Sequence, residues 1–438
     1  MNLDWLRRYS YAFTHPLLLE KLRVSRARRL ARTSYKNTVS APDSPKTLYI
    51  DVSVVSKSDA RTGIQRVVRG IASHLFADTP AGWRVVPVSA SRKLPYCPVS
   101  WMGVSSESLP RYLDPKTSIF LGLDYSLDAV YFQRAQLAEF RYRGGQLWFL
   151  MHDLLPIQHP EWFGDRNIFR FRRWLTLIAS IADGVICNSE VTEHDFKIEM
   201  VKSYGLYACI QTMVMPMGCD IDNSAPTVGL PDGFQELLQI FKDTPSALMV
   251  GTLEPRKGYA DVLDACDILW KSSVKFNLVI VGRPGWKTEN LQKRIRCHFQ
   301  FGKQLFWFDD ASDEALGLLY QVCRGVIVAS LAEGFGLPMV EALGRGKPVL
   351  ARDIPIFRMK ANGLVTYFSL QTTSGELSKI IDSWLSSAVQ SDAVSFERGA
   401  TWKDSAEFIF SSLLQKVPHA KCCAAPLASS KVFFPGKT

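Results

Sequence analysis

Glu333-Gly-Phe-Gly-Leu-Pro-Met-Val-Glu341 is a glycine-rich turn with a carboxylate at each end. The apolar run at 325–330 just before it predicts a short buried strand, and Pro338 suits the first turn of a helix. Glu333 is therefore expected in the loop at the carboxyl end of a strand, and Glu341 in the helix that follows. Ligands of open α/β sheets bind at the carboxyl ends of strands, where loop amides suit an oxygen-rich ligand. The stretch thus predicts a binding crevice in an α/β fold.

Strand and helix signals alternate on both sides of this stretch. In the first half, apolar runs predict strands at 48–53, 83–88, 118–122, 146–151 and 184–188, with helices such as 62–75 and 171–181 between them. A polar link at 220–231 precedes a second series of strands at 246–251, 277–282, 305–308, 325–330 and 348–351. This alternation predicts parallel sheets, so we expect the α/β class with two doubly wound, Rossmann-like domains in tandem.

The predicted organisation has five parts. They are a basic extension over 1–46, a first domain over 47–222, a second domain over 223–400, an amphipathic helix over 401–416 and a loosely held tail over 417–438. Through residue 33 the extension carries eight Arg or Lys against two acidic residues, with aromatic and leucine side chains between them. Such a segment suits an anionic membrane surface, and the alternative is a solvated extension.

A second motif, Val250-Gly-Thr-Leu-Glu-Pro-Arg-Lys-Gly258, places two adjacent cations after a strand of the second domain. The strand ends at Gly251, and Arg256 and Lys257 come just before a helix. Two cations at a helix N-terminus suit a diphosphate, because they neutralise it and stabilise a negatively charged leaving group. The alternative is a solvated pair at the start of a helix.

A third motif is the pair His152-Asp153, which directly follows the apolar strand at 146–151 and precedes Pro156. A single His after a strand is usually structural. A His–Asp pair at the carboxyl end of a strand, followed by a proline turn, instead favours a place in the binding crevice.

A fourth motif, Asp59-Ala-Arg-Thr-Gly-Ile-Gln-Arg66, follows the first strand of the chain. Its Gly63 lets the backbone approach a ligand, and the helix that starts there points its N-terminus at the crevice. Arg61 and Arg66 would contact an acceptor phosphate or a lipid diphosphate, or would simply be surface cations. Four weaker stretches, at 188–190, 217–220, 282–286 and 308–314, are each more typical of structure than of a site when taken alone. The family resemblance given next implies that they line the crevice.

Together these motifs resemble glycosyltransferase family 4, the retaining sugar-nucleotide transferases with the GT-B fold, in which two Rossmann-like domains face a central cleft. The E-x7-E pattern of Glu333 and Glu341 carries most of the resemblance, which covers about 47–416. Where the family has an arginine after the first glycine of the cation motif, this chain has Thr252, so Arg256 would supply that charge. The fourth motif resembles bacterial transferases that build mannose- or rhamnose-type O-polysaccharides. The fold also implies that the helix at 401–416 crosses back to the first domain.

The resemblance implies a role for each motif. Glu333 would hold the donor sugar and Glu341 the ribose hydroxyls, while His152 would face the sugar near its reacting carbon. The expected catalytic residues are His152, Glu333 and Lys257. The expected donor-binding residues are Gly63, Arg256, Lys257, Glu333, Gly334, Phe335, Gly336, Leu337 and Glu341. The candidate acceptor contacts are Arg61, Arg66 and Asp153. The resemblance implies no metal cofactor, and the sequence has no His, Cys or carboxylate cluster with metal spacing.

Composition narrows the partners and the compartment. The chain has 438 residues and a formal net charge of +10, but its basic residues form no recognisable DNA- or RNA-binding motif. We therefore expect no nucleic acid partner, because an anionic donor and an anionic membrane account for the charge more simply. No apolar run approaches the ~20 residues that span a bilayer, and no secretory signal peptide is visible. Nine scattered cysteines predict buried, reduced thiols in a cytoplasmic protein. The basic extension adds the expectation that the protein is peripheral at the inner face of the plasma membrane.

The leading functional prediction is retaining transfer of a hexose, mannose or rhamnose from a GDP-sugar, to a glycan or lipid-linked acceptor in bacterial surface polysaccharide synthesis. UDP-sugar donors remain open at this point. So does a sugar-nucleotide hydrolase or epimerase of the same fold, which would turn over the donor without an acceptor. A non-catalytic glycan- or membrane-binding protein is a further alternative, and the presence of Glu333, Glu341, Lys257 and His152 argues against it.

Overall fold

The computed structural model describes residues 46–58, 62–107, 109, 111–206, 210–220, 226–359, 363–387 and 399–414. The membrane prediction for residues 1–33 and the predicted tail at 417–438 lie outside these ranges. Arg61 and the predicted domain boundary between residues 222 and 223 lie outside them as well.

The first sheet has seven strands in the order β3-β2-β1-β4-β5-β6-β7. Its strands are β1 Lys46–Asp51, β2 Trp83–Ser89, β3 Cys97–Pro98, β4 Ile119–Gly122, β5 Gln146–Met151, β6 Gly184–Cys187 and β7 Gln211–Val214. All neighbouring pairs are parallel except β2 and β3. The connecting helices are α1 Gly63–Ala77, α2 Leu127–Phe132, α3 Arg134–Tyr142, α4 Leu155–Gln158, α5 Asp165–Ile181 and α6 Glu190–Tyr204.

The second sheet has six strands, all parallel, in the order β10-β9-β8-β11-β12-β13. Its strands are β8 Ser246–Val250, β9 Asn277–Val281, β10 Leu305–Phe308, β11 Gly325–Val328, β12 Val349–Arg352 and β13 Val365–Phe368. Its helices are α7 Phe234–Asp243, α8 Tyr259–Lys271, α9 Glu289–Arg296, α10 Asp313–Val322, α11 Leu337–Gly344, α12 Pro355–Arg358 and α13 Ser374–Ser387. The strand order reverses between β8 and β11, and ligands of such sheets bind at that reversal. Glu333 follows β11, and Arg256 follows β8.

Each sheet has an apolar core on both of its faces. In β5, Leu147 and Phe149 belong to one core, and Trp148 and Leu150 belong to the other. In β9, Val279 and Val281 belong to a third core, and Leu278 and Ile280 belong to a fourth. Strands covered on both faces are typical of parallel α/β sheets, so the two predicted Rossmann-like domains are confirmed.

The last described helix, α14 Trp402–Leu414, packs against α1 of the first domain. Its Trp402 is fully buried in the first-domain core and donates from Nε1 to the carbonyl of Asp220 over 3.0 Å. A Cβ added to Gly70 would lie only 2.5 Å from the Trp402 ring, and one added to Gly218 would lie 2.5 Å from Trp402 as well. Glycine at both positions therefore lets the helix that follows the second domain return to the first.

The cysteine prediction holds only in part. Four described cysteines are buried, Cys97 is half-buried, and Cys297 is exposed, contrary to the expectation. Cys297 ends the short helix α9, where it follows a run of charged residues. Within the described ranges, none of the helices combines the length and the apolar composition that crossing a bilayer requires.

Candidate active site between the two domains

The Glu333 carboxylate is the centre of a buried charge cluster. Its Oε2 accepts a hydrogen bond from Arg256 Nη1 over 2.7 Å, and its Oε1 accepts from Lys257 Nζ over 2.5 Å and from Ser330 Oγ over 2.7 Å. Burial alone would raise the pKa of Glu333, but Arg256 and Lys257 hold it at about 2. The carboxylate is therefore ionised at neutral pH and orients both cations.

Close backbone contact between two loops of the second domain brings these side chains together. Arg256 and Lys257 lie in a turn of 3-10 helix after β8, and the carbonyl of Arg256 accepts from the amide of Leu331 over 2.7 Å. Gly258 ends the turn at φ +69°, and a Cβ there would lie 2.2 Å from the carbonyl oxygen of Ala329. The strand order places the loops after β8 and β11 side by side. Because Gly258 has no side chain, the two backbones can approach this closely.

The first domain supplies the opposite wall of the site through His152 and Asp153, which follow β5. A Cβ on Gly334 would lie 2.0 Å from the carbonyl oxygen of His152, so only glycine allows this approach of the two domains. The Gly334 carbonyl also accepts from Ser189 Oγ over 2.6 Å. Burial raises the pKa of Asp153, and the positive charge of Arg256 opposes this shift.

His152 is buried and has one ring nitrogen without a hydrogen-bond partner. That atom is Nε2, and among the described residues it contacts no donor or acceptor within hydrogen-bonding distance. Burial lowers the pKa of His152 to about 4, and a hydrogen bond with the backbone at Leu123 only partly offsets this. The imidazole is therefore neutral at physiological pH, and its buried Nε2 is free to accept or donate a hydrogen bond.

His152 is expected to make the protein less stable in mild acid. Its pKa is depressed in the folded state relative to about 6.5 in an unfolded chain, so the unfolded state binds more protons between pH 6.5 and 4. This contribution is complete above pH 6.5 and is lost as the pH falls toward 4. Between pH 7 and pH 5 the wild type should lose about 2 kcal/mol more unfolding free energy than His152→Gln. Denaturant unfolding at both pH values measures this, and equal losses would contradict it.

Glu341 lies in a second charge cluster, which also joins the two domains. Its Oε1 accepts from Arg66 Nη1 over 2.6 Å, and its Oε2 accepts from Tyr320 Oη over 2.8 Å. Arg66 Nη2 in turn donates to Asp313 Oδ1 over 2.6 Å. Asp313 Oδ2 accepts from the amide of Thr227, in the segment that links the domains. The first domain thus occupies the carboxylate that was predicted to hold the ribose.

The surface alternative for Arg66 is wrong, because its side chain is only 10% exposed and both of its carboxylate partners are buried. The sequence could not exclude this alternative, because the partners come from the other domain, far away in the sequence. The predicted acceptor role of Arg66 stays a prediction. The structure places the guanidinium against Glu341 and Asp313. The acceptor role of Asp153 stays a prediction, and Arg61 lies outside the described residues.

The remaining predicted donor-binding residues shape the turn after Glu333 and its contacts with the first domain. Phe335 and Leu337 pack against the first-domain core. Gly336 has φ +83°, a left-handed conformation that suits glycine, and the Phe357 ring leaves no space for a side chain there. A Cβ on Gly63, the first residue of α1, would lie 3.6 Å from Leu337 Cδ1, so the start of this helix lies close to the turn that follows Glu333.

Sequence reasoning missed several partners of the predicted residues. Ser330 lies two residues after the end of β11, and its position three residues before Glu333 was a usable signal. Glu254, which accepts from Arg256 Nε over 2.8 Å, stands in the quoted cation motif and was overlooked. Tyr320 gave no signal, because a buried tyrosine in an apolar helix is indistinguishable from core.

A groove of about 480 Å³ opens at the carboxyl end of β10. It is lined on one side by the link at 228–231 and on the other by 307–312, which includes part of the stretch at 308–314 that was expected to line the crevice. Within the described ranges, no group of three or more His, Cys, Asp or Glu side chains is arranged to hold a metal ion.

Comparisons with known proteins agree with this architecture. The family model described as glycosyl transferases group 1 matches residues 234–400. The serotype-specific mannosyltransferase WbdA of Escherichia coli is 34% identical over 420 residues, which cover 92% of this chain and 48% of WbdA. The chain thus spans about half the length of WbdA.

Two solved structures share the fold at low sequence identity. HepE from Anabaena, solved with UDP-glucose, gives a TM-score of 0.52 at 19% identity over 84% of this chain and 94% of its own. Sucrose-phosphate synthase from Thermosynechococcus elongatus gives 0.53 at 16% identity, also over 84% and 94% of the two chains. These likenesses show that the chain has the GT-B fold, and its residues 234–400 match the group 1 glycosyl transferases.

Proposed function

We propose that the chain is a retaining mannosyltransferase of bacterial surface polysaccharide synthesis. It takes the sugar from a nucleoside diphosphate, with GDP-mannose as the favoured donor and GDP-rhamnose as the next, and transfers it to a glycan or lipid-linked acceptor. The observation that carries the proposal is the Glu333 cluster, with two cations at the strand reversal and His152 on the facing wall. The similarity to WbdA supports the choice of mannose.

The cluster provides what transfer from a diphosphate requires. Lys257 and Arg256 would neutralise the diphosphate as its bond to the anomeric carbon breaks, because cations fixed in a buried site stabilise developing negative charge. The acceptor oxygen then bonds to that carbon, and its proton passes to the leaving phosphate on the same face. Neutral His152 cannot serve as a strong base at pKa 4, so its role is to hydrogen-bond the sugar through Nε2.

Release of nucleotide from a panel of donors, with and without a mannose oligosaccharide, tests the proposal. GDP should be released from GDP-mannose, and the oligosaccharide should accelerate the release. A rate that does not depend on the acceptor would favour a sugar-nucleotide hydrolase. Faster release from a UDP-sugar would reassign the donor, and a failure to bind any donor would favour a non-catalytic scaffold.

Peripheral binding to an anionic membrane through residues 1–33 is the second part of the proposal. The basic and aromatic composition of this segment supports it, because lipid phosphates attract arginine and aromatic rings favour the interface. Flotation with anionic liposomes tests it on the full chain and on a chain that lacks residues 1–40. Equal binding by the two would rule out the segment as the membrane contact.

A further inference from the structure

Four aromatic side chains bridge the two domains beside the Glu333 loop. His159, Trp162 and Phe163 come from the segment after β5, and Trp286 comes from the loop after β9. The rings of His159 and Trp162 are stacked, with centroids 4.1 Å apart and an angle of 15° between the planes. The Trp286 ring lies 5.8 Å from the Phe163 ring at 31°. We call these four residues the bridging aromatic cluster.

Hydrogen bonds between the domains hold this cluster together. Trp286 Nε1 donates to the carbonyl of Trp162 over 2.8 Å, and Lys287 Nζ donates to the carbonyl of Glu161 over 2.8 Å. Lys287 has φ +57°, a left-handed conformation that is strained for a residue other than glycine. Strain of this kind persists where the surroundings impose it and concentrates at ligand sites. Because the two donors and the two acceptors come from different domains, the cluster is complete only when the domains meet.

The cluster lies next to the reaction centre. Phe163 belongs to a small apolar group against which Ala332 packs, and Ala332 precedes Glu333. The carbonyl of Ala332 accepts from Arg256 Nη1 over 3.0 Å, which ties this backbone to the cation pair. Despite its position between two domains, Trp286 remains 39% exposed. Aromatic side chains with a few polar groups close by are the usual lining of ligand sites, and the partly exposed indole fits that pattern.

We propose that the bridging aromatic cluster is the subsite for a pyranose ring of the acceptor glycan, an inference that rests on the proposed function. The face of an aromatic ring carries negative charge density, which attracts the weakly positive C–H groups on one face of a sugar. The polar groups around the cluster suit the sugar hydroxyls: Lys287, and the His159 ring paired with Glu161 at 3.1 Å. A donor nucleobase is the other flat ligand an indole stacks on. It has its own space in the groove at β10, whereas the cluster lies beside the carboxylate assigned to the sugar.

The test measures acceptor and nucleotide separately in Trp286 variants. With mannotetraose as the acceptor, Trp286→Ala should raise the acceptor KM at least about tenfold, as expected when one stacked ring is lost. Its Kd for GDP should stay within about twofold of the wild type. Trp286→Phe keeps a ring face and should retain most of the acceptor affinity. Phe299→Ala is the matched control, because Phe299 is 58% exposed in the same domain but precedes β10, so it lies at the amino ends of the strands, whereas the site lies at their carboxyl ends.

An unchanged acceptor KM in Trp286→Ala would overturn the inference. A loss of GDP affinity as large as the loss of acceptor affinity would overturn it too, by assigning the indole to the nucleobase. Direct titration of mannotetraose into the wild type and the variants separates this inference from the proposed function. If no sugar nucleotide is turned over but mannotetraose binding still depends on Trp286, the donor assignment fails while the subsite stands.

Discussion

Lys257→Met is expected to lower the turnover number by about 10²–10³-fold, the usual loss when one preorganised charge is removed from a transition state. Lys257 Nζ contacts Glu333 Oε1 over 2.5 Å, and the Lys257 side chain is only 11% exposed. Glu333 neutralises it before the donor arrives, so its charge is already oriented and desolvated. The donor Kd should rise less, by about tenfold, because Arg256 still faces the bound diphosphate.

The comparison that makes this result specific is Lys271→Met. Lys271 is exposed at the far end of α8, the helix that Lys257 precedes. Its substitution should leave the turnover number and the donor Kd unchanged. Lys257→Arg should not restore full turnover, because a planar guanidinium cannot take the place of a compact ammonium beside Arg256. Rapid-quench measurement of a single turnover separates the chemical step from product release. If Lys257→Met keeps the single-turnover rate of the wild type, Lys257 has no role in the chemical step.

The sequence was sufficient to predict the Glu333 cluster because its members follow local rules. Arg256 and Lys257 lie in the loop after the buried strand β8, and Glu333 lies in the loop after β11. Strands at a reversal of the sheet order bring the loops at their carboxyl ends together. His152 was predicted in the same way from the first domain. In these cases the fold class fixes the neighbourhood of a side chain as soon as its strand is identified.

The contacts that join the two domains do not follow from such rules. Arg66 and Glu341 are separated by 275 positions, and their pairing depends on how two independent sheets dock. Trp286 was expected near the crevice, but nothing in its loop indicated that its Nε1 would donate to Trp162. Docking is decided by the summed shape of many side chains, which no local pattern contains.

Helix α6 shows a different limit. Phe196, Met200 and Tyr204 are buried, but Ile198 is 50% exposed, so the apolar side chains do not mark a single face. The helix was therefore not predicted, although Ser189 caps its N-terminus by accepting from the amide of Thr192 over 3.1 Å. In contrast, Pro338 and the flanking glycines placed α11 to within a residue.

Arg66→Met and Glu341→Gln are expected to change donor binding in opposite directions. In the proposed function the ribose needs the Glu341 carboxylate, which Arg66 holds at 2.6 Å in this structure. The ribose and Arg66 therefore compete for it. Glu341→Gln removes the charge that both require and should raise the donor Kd about tenfold, whereas Arg66→Met frees the carboxylate and should lower it.

The free energy of unfolding without donor should depend on the buried ion pairs and not on donor affinity. Arg66→Met leaves Glu341 buried without its cation, while Asp313 keeps the longer contact with Arg69 at 3.6 Å. The free energy of unfolding should therefore fall by about 3–5 kcal/mol. Arg294→Met is the matched control: Arg294 also bridges two carboxylates, Asp264 and Asp267, but is 35% exposed, so the cost should stay within about 1 kcal/mol. Denaturant unfolding measures both variants.

The decisive measurement is therefore the shift in melting temperature that saturating GDP-mannose produces, because ligand stabilisation grows with affinity for the folded state. Arg66→Met should melt below the wild type without donor and show the larger donor-induced rise, while Glu341→Gln shows the smaller. If Arg66→Met weakens donor binding as strongly as Glu341→Gln, then Arg66 contacts the nucleotide itself. The ion pair that closes the two domains would in that case be part of the donor site and not its competitor.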